Sequence, residues 1–426
     1  MHFLYDDDII KISANEEKTE VLPVNKINIS EEQSAMLNLI GHNLFGMPVD
    51  VPSEIDWSEV LKESISQSMP LIAFQNIDEL PIGVATTAVI KKYLKRCEEV
   101  NLACYRGHSY LHRLMSENGI SYSVIKGVAS ARYYPDPILR SMGDVDFYVA
   151  PEHLERAREV FKSDGFTLEH TDSEHHDILE RGKLYMELHF APIAIPDEKM
   201  KPIFLEYWSD LCESATTVKD DYGEYKLPSD FHHGFIILTH FQMHLMPIGV
   251  GLRHLCDWAV FVNSFSNEEF VDTFEKRLKR VGLWRLGQAI ALAAVKYLGM
   301  PHKAWMGDDY DVADALLEDI ARGGNFGQRD KERSFETVFI ADYKATAGEK
   351  SRIVRAFRFI NNYIRQHWPA AKWCILLYPV GWIFFPLRFL WRRITGQRSA
   401  NVVESYKQSG KRLAMYKRLE LYKPQK

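Results

Sequence analysis

Between Ile120 and Phe190 short runs occur in which apolar residues take alternate positions, while on both sides of that stretch they recur three and four residues apart. Alternation marks strands, whose successive side chains face opposite ways, and three-four spacing marks helices. A chain patterned helical, then extended, then helical again is restricted to the α+β class, with a small sheet and segregated helices. Its 426 residues exceed what one hydrophobic core ordinarily serves, so two or three domains are expected.

Four segments follow from the patterning: a helical region over 1–118, an α/β unit over 119–228, a helical unit over 229–345 and a tail over 346–426. In the first, Ser30 and Asp56 stand three residues before Gln33 and Glu59, the spacing that caps the free N–H groups of a helix start. A long helix is predicted over 84–116, with Gly119 as its stop. In the second segment, strands are predicted at 120–125 and 144–149, and a short helix at 128–134 ends at Pro135-Asp136-Pro137. Pro151 opens a further helix with an apolar stripe of Leu154, Ala157, Val160 and Phe161, and two more strands come after Gly165. The last of them, 184–190, turns Leu184, Met186, Leu188 and Phe190 inward and Tyr185, Glu187 and His189 to the other face. The third segment is helical, with a capping box at Ser266 and Glu269 and a break at Gly323-Gly324-Asn325-Phe326-Gly327.

Charge is distributed unevenly. From Ser351 onward there are sixteen Lys and Arg against Glu404 and Glu420, a net of +14 in a chain of −6, which leaves −20 for the rest. A basic block joined to an acidic body implies an anionic partner for the block. Within it, the uncharged stretch 373–387 is interrupted by Pro379, Gly381 and Pro386 and is shorter than the roughly 20 residues of a straight bilayer span. Trp368, Trp373, Tyr378, Trp382 and Trp391 suit a membrane interface, and Arg388, Arg392, Arg393, Lys411, Arg412, Lys417 and Arg418 suit anionic headgroups. The expected partner is therefore an anionic membrane surface rather than nucleic acid, with packing on protein as the competing reading. Five scattered cysteines without a CxxC pair point away from disulfides and zinc, and the acidic first residues are unlike a signal peptide. A cytoplasmic chain, peripheral at the inner face of the cell membrane, is the expectation.

Chemistry concentrates at Lys126-Gly127, Arg140 and Gly143-Asp144-Val145-Asp146. Residues two apart in a strand share a face, so Asp144 and Asp146 present adjacent carboxylates, which repel unless a cation lies between them. Mg²⁺ binds through one or two carboxylates plus substrate phosphates. Gly127 lets the backbone approach a phosphate at a helix start, and Glu187 on a neighbouring strand completes a set for two-metal displacement at phosphorus. Lys126 and Arg140 can neutralise phosphate charge. His189 is read as a metal or nucleotide contact or as a structural histidine, His240 and His244 as core packing, and Arg253 with Asp257 as an i,i+4 ion pair.

These residues resemble the bacterial uncharacterised nucleotidyltransferase family of the DNA-polymerase-β-like superfamily. The likeness runs through Val124-Ile125-Lys126-Gly127, Tyr133-Tyr134-Pro135-Asp136-Pro137 and Arg140 to Val149, with looser matches at Met186-Glu187-Leu188-His189, Gly251 to Trp258 and Gly323 to Gly327. The resemblance implies a small mixed nucleotidyltransferase sheet followed by a helical domain. It also implies Asp144, Asp146 and Glu187 as catalytic metal ligands for Mg²⁺ or Mn²⁺, and an Arg253 that faces the cleft. Nucleotide contacts are expected from Lys126, Gly127, Arg140, Gly143 and Arg253. Where the superfamily carries a second Gly or Ser, this chain has Val128. The implied reaction moves an NMP group from a nucleoside triphosphate to an unidentified acceptor, with release of pyrophosphate. Two alternatives stay open: a DxD-type glycosyltransferase, against which stands the spacing of seventeen residues from Gly127 to Asp144, and a membrane-bound pseudoenzyme or adaptor of the same fold.

Overall fold

The computed structural model describes residues 27–170, 176–193, 198–246 and 248–327, then 329, 333, 361, 364–365, 368–374, 376–394, 402–421 and 423–425. Helix α1 (Glu31–Phe45) opens with the expected capping box between Ser30 and Gln33, and α2 (Trp57–Ser66) opens with Asp56 accepting from Ser58 and Glu59. The 34-residue α3 (Val84–Glu117) runs for ~50 Å at 1.5 Å per residue. Its first half gives Ile90 and Leu94 to a helical core, and its second half gives Cys104, Tyr105, Leu111, Leu114 and Met115 to the core beneath the sheet. Gly107 makes that contact possible, because a Cβ there would stand 2.9 Å from Leu184 and Val145.

The five-stranded sheet comprises β1 (Tyr122–Val124), β2 (Val145–Val149), β3 (Thr167–His170), β4 (His176–Arg181) and β5 (Leu184–His189), in the order β1-β2-β5-β4-β3. β2 and β5 pair in parallel and the other neighbours are antiparallel, so the sheet is mixed and the class is α+β. Helix α4 (Leu154–Ser163) packs Ala157 and Phe161 into the sheet core after a turn that Pro151 begins. Three strands follow Gly165 instead of the two predicted, because β3 and β4 are separate partners on the outer edge. After α5 (Lys201–Trp208) comes an unpredicted hairpin, β6 (Thr216–Lys219) and β7 (Glu224–Leu227). Its four-residue strands are too short to show a period. It is held by Tyr225 and Leu227 in the sheet core and by Lys226 N–H donating to the Tyr122 hydroxyl at 3.2 Å.

The helical core is built from α6 (Asp230–Leu245), α7 (Leu252–Asn263), α8 (Trp284–Leu298) and α9 (Tyr310–Gly323), and α1 and α2 pack into the same core. Among the described residues, buried side chains form two large cores, one helical and one under the sheet, and core membership does not follow the four sequence segments. The tail contributes to the first of them. Helix α10 (Leu377–Ile394) continues through the positions read as interruptions, with Pro379 in its first turn, where no intrahelical N–H bond is lost. Helix α11 (Val402–Arg418) and the residues after it bury Met415, Tyr416, Leu419 and Leu421 in the helical core. Arg412 is buried as well, donating to the carbonyls of Leu245 and Met246 and lying 3.5 Å from Asp319, while Arg418 pairs with Asp309. The expectation that Arg412 and Arg418 face lipid is corrected by this packing: the acidic body supplies their counter-charges.

Candidate active site

β1 ends at Val124, and the chain turns at Gly127 with φ 59° and ψ −115°, a conformation reserved for glycine. A Cβ there would stand 2.8 Å from the buried ring of His108. The turn delivers Lys126, whose Nζ donates to Asp146 Oδ1 at 2.8 Å. Val128 points into the sheet core, so the departure from the superfamily's second Gly or Ser leaves the cleft side of the turn open.

Parallel pairing of β2 with β5 sets Asp146 directly opposite Glu187, and Asp144 precedes β2 by one residue. One oxygen from each of Asp144, Asp146 and Glu187 lies within 4.8 Å of the others, a donor set that suits a hard divalent cation. Mutual repulsion from Asp146, and then burial, push the pKa of Asp144 up to about 6. Burial opposes the charge of Asp146, but Lys126 and His189 outweigh it and hold its carboxyl well below the usual range. His189 stands at the junction, with Nε2 3.0 Å from Asp146 Oδ1 and 3.3 Å from Glu187 Oε2. His176, directly across the β4–β5 ladder from His189, completes the group, with ring centroids 5.1 Å apart. His176 has no motif in the sequence, and its one signal is its register opposite His189 in the β4–β5 hairpin.

The approach to Asp144 is fixed by a residue with no sequence motif of its own. Asn101, buried on α3, donates to the carbonyl of Arg140 at 3.0 Å and accepts from Met142 N–H at 2.9 Å, which clamps the loop before β2. Arg140 lines the cleft but is not available as a first phosphate contact. Its guanidinium donates twice to Asp257, Nε at 2.9 Å and Nη2 at 2.7 Å, and Tyr134 donates to the same carboxylate at 2.8 Å. The Arg253–Asp257 pair expected from i,i+4 spacing is thereby replaced. Arg253 instead donates Nη1 to the carbonyl of Ser141 at 3.0 Å and lines the cleft with a buried Nε that has no protein acceptor. Gly143 is exposed with open space where a Cβ would stand, so nothing steric requires glycine there.

His240 is not a core residue as read from the sequence. It lines the cleft beside Lys126, Asp144 and Asp146, shares a hydrogen bond of 2.9 Å with His244, and stacks 5.4 Å from His254. Burial first, and then Lys126, lower the pKa of His244 to about 4, which keeps the pair neutral. The cleft is thus floored by carboxylates, walled by Lys126 and Arg253, and flanked by neutral imidazoles. Among curated proteins none matches this chain. Residues 53–299, more than half of the sequence, match the model of one family, and the chain belongs to it: the uncharacterised nucleotidyltransferases.

Proposed function

We propose that this protein transfers a nucleoside monophosphate from a nucleoside triphosphate to an acceptor hydroxyl and releases pyrophosphate. The observation that carries this reading is the convergence of Asp144, Asp146 and Glu187 beside Lys126 at one cleft, in a chain of this family. The three carboxylates would hold Mg²⁺ or Mn²⁺, which would supply positive charge against the phosphates. Lys126 and Arg253 bind the phosphates and fix them for in-line attack at the α-phosphorus. One of the three carboxylates would assist removal of the proton from the attacking hydroxyl. The acceptor is unassigned.

The test is incubation of the full chain with each NTP, Mg²⁺ or Mn²⁺ and cell extract, followed by mass spectrometry of the products. Asp144→Asn and Asp146→Asn should each lower transfer by about 10²-fold or more with the fold intact. Undiminished transfer in either variant removes the assignment. Tight NTP binding without turnover in the unaltered chain would support the adaptor reading instead.

We also propose peripheral attachment to an anionic membrane at the cytoplasmic face, through α10. Trp373 and Leu376 just before the helix and Val380, Ile383, Leu387 and Trp391 within it recur three and four apart and are all more than half exposed. No Asp or Glu occurs between Ser351 and Val403, where nine Lys and Arg do. Among the described residues no helix is long and apolar enough to cross a membrane. An apolar stripe on a cationic helix of that kind lies in the plane of the interface.

A further inference from the structure

The β4–β5 hairpin places two imidazoles and a carboxylate on one surface of the sheet. In its register His176 faces His189, and Ile178 faces Glu187. Glu187 and His189 are two apart on β5 and so share a face. His189 Nε2 lies 3.3 Å from Glu187 Oε2, His176 Nε2 lies 4.0 Å from the same oxygen, and one donor atom from each residue falls within 4.8 Å of the others. A divalent ion with bonds near 2.1 Å holds neighbouring donors roughly 3.0–3.4 Å apart. One of these separations already has that value. The longer ones would have to close by side-chain rotation of His176 and Glu187, both of which retain some exposure.

We propose that His176, Glu187 and His189 form a mixed nitrogen–oxygen site for a divalent transition-metal ion, adjacent to the all-carboxylate site and sharing Glu187 with it. The proposal rests on the nucleotidyltransferase reading only through that shared residue. Donor chemistry separates the two sites. Mg²⁺ requires oxygen donors and gives up its waters reluctantly, so it belongs with Asp144, Asp146 and Glu187. Imidazole donors suit Zn²⁺, Fe²⁺, Ni²⁺ and Cu²⁺, whereas Mg²⁺ keeps to oxygen; Mn²⁺, at the weak end of that series, accepts either donor and so serves as a probe. Two paired strands supply the nitrogen donors, which fixes their separation more firmly than a loop would. The competing role of His189 is donation of a proton from Nε2 to Asp146 Oδ1 at 3.0 Å. Nε2 can donate a hydrogen bond or ligate a metal, not both. Asp146 keeps Lys126 on that oxygen in either case.

The experiment is titration of the full chain with Mn²⁺ alone, without nucleotide, read by pulsed electron paramagnetic resonance. Bound Mn²⁺ should show modulation from directly coordinated ¹⁴N. Excess Mg²⁺ should remove the oxygen-only population and leave the nitrogen-coupled one. His176→Gln should weaken the nitrogen-coupled site by about 10-fold or more, whereas Asp144→Asn should leave it. Mn²⁺ bound without nitrogen modulation in the unaltered chain overturns the proposal, whatever the variants do. Nitrogen-coupled Mn²⁺ in a protein that transfers no nucleotide would keep this site and remove the proposed activity. Transfer supported by oxygen-bound Mn²⁺ alone would do the reverse.

Discussion

The two arginines of the cleft, alike in the sequence, have separate roles in the structure. Arg140 is 6% exposed and bound in a fork to Asp257, so its removal leaves a buried carboxylate and the Tyr134 hydroxyl without their cation. Arg140→Ala should therefore lower stability by about 3–5 kcal/mol, read as a shift of the urea midpoint. Arg253 has one carbonyl acceptor, and burial followed by repulsion from Arg140 disfavours its charge, which makes an incoming phosphate a welcome partner. Arg253→Ala should leave the unfolding free energy in urea within about 1 kcal/mol of the parent and weaken Mg²⁺–NTP binding by at least 10-fold in calorimetry. If Arg140→Ala proves stable and Arg253→Ala binds normally, the division of roles is wrong. Legibility at this scale was uneven. Asp144, Asp146 and Glu187 followed from alternation and resemblance, because their directions depend on local period. The partner of Asp257 did not, because Arg140 lies 117 residues away in the chain.

At the scale of elements, α10 is the clearest case of a helix with a face left over. Tyr378 and Phe385 pack on Ile364 and Ala371, while the stripe from Trp373 to Trp391 stays exposed. Burying such a stripe at a bilayer surface removes apolar area from water at roughly 25 cal/mol per Å². The full-length chain should float with anionic liposomes at low salt, and the double variant Ile383→Glu, Leu387→Glu should stay at the bottom. Equal flotation of the two rejects the stripe as the contact, and sedimentation of both rejects membrane attachment. A truncation before the helix would be a poor control, because α11 lies beyond it and gives Met415 and Tyr416 to the helical core. The existence of α10 was legible as a tryptophan-rich apolar stretch. That it continues through Pro379 was not, since a proline's cost depends on whether its turn has an N–H bond to lose, and in the first turn it has none.

For the whole molecule, buried imidazoles set the response to acid. Burial lowers the pKa of His108 and His233 to about 3 and of His244 to about 4, and carries His240 and His254 well below 6.5. A group whose folded pKa is depressed contributes stability above its unfolded pKa and loses it as pH falls. Stability of the metal-free chain should thus fall between pH 6.5 and 4, by ~1.4 kcal/mol per pH unit for each histidine that stays neutral. Asp144, raised to about 6, works the other way, since the cost of its charge is relieved as pH falls. Urea midpoints at pH 7.5 and 5.0 check the sign, and equal midpoints would mean that these rings protonate without unfolding.

The sequence by itself determined the class, the helix starts at Ser30 and Ser266, the adjacent carboxylates of Asp144 and Asp146 at the start of β2 and the face of β5 that Glu187 and His189 share, because each depends on period or capping within a few residues. Tertiary structure alone decided that Asn101 clamps the loop before Asp144, that His176 meets His189, that His240 enters the cleft and that α11 joins the body. Each of these depends on which distant segments share a core or a strand register, and that is settled by the packing of whole faces rather than by any local pattern.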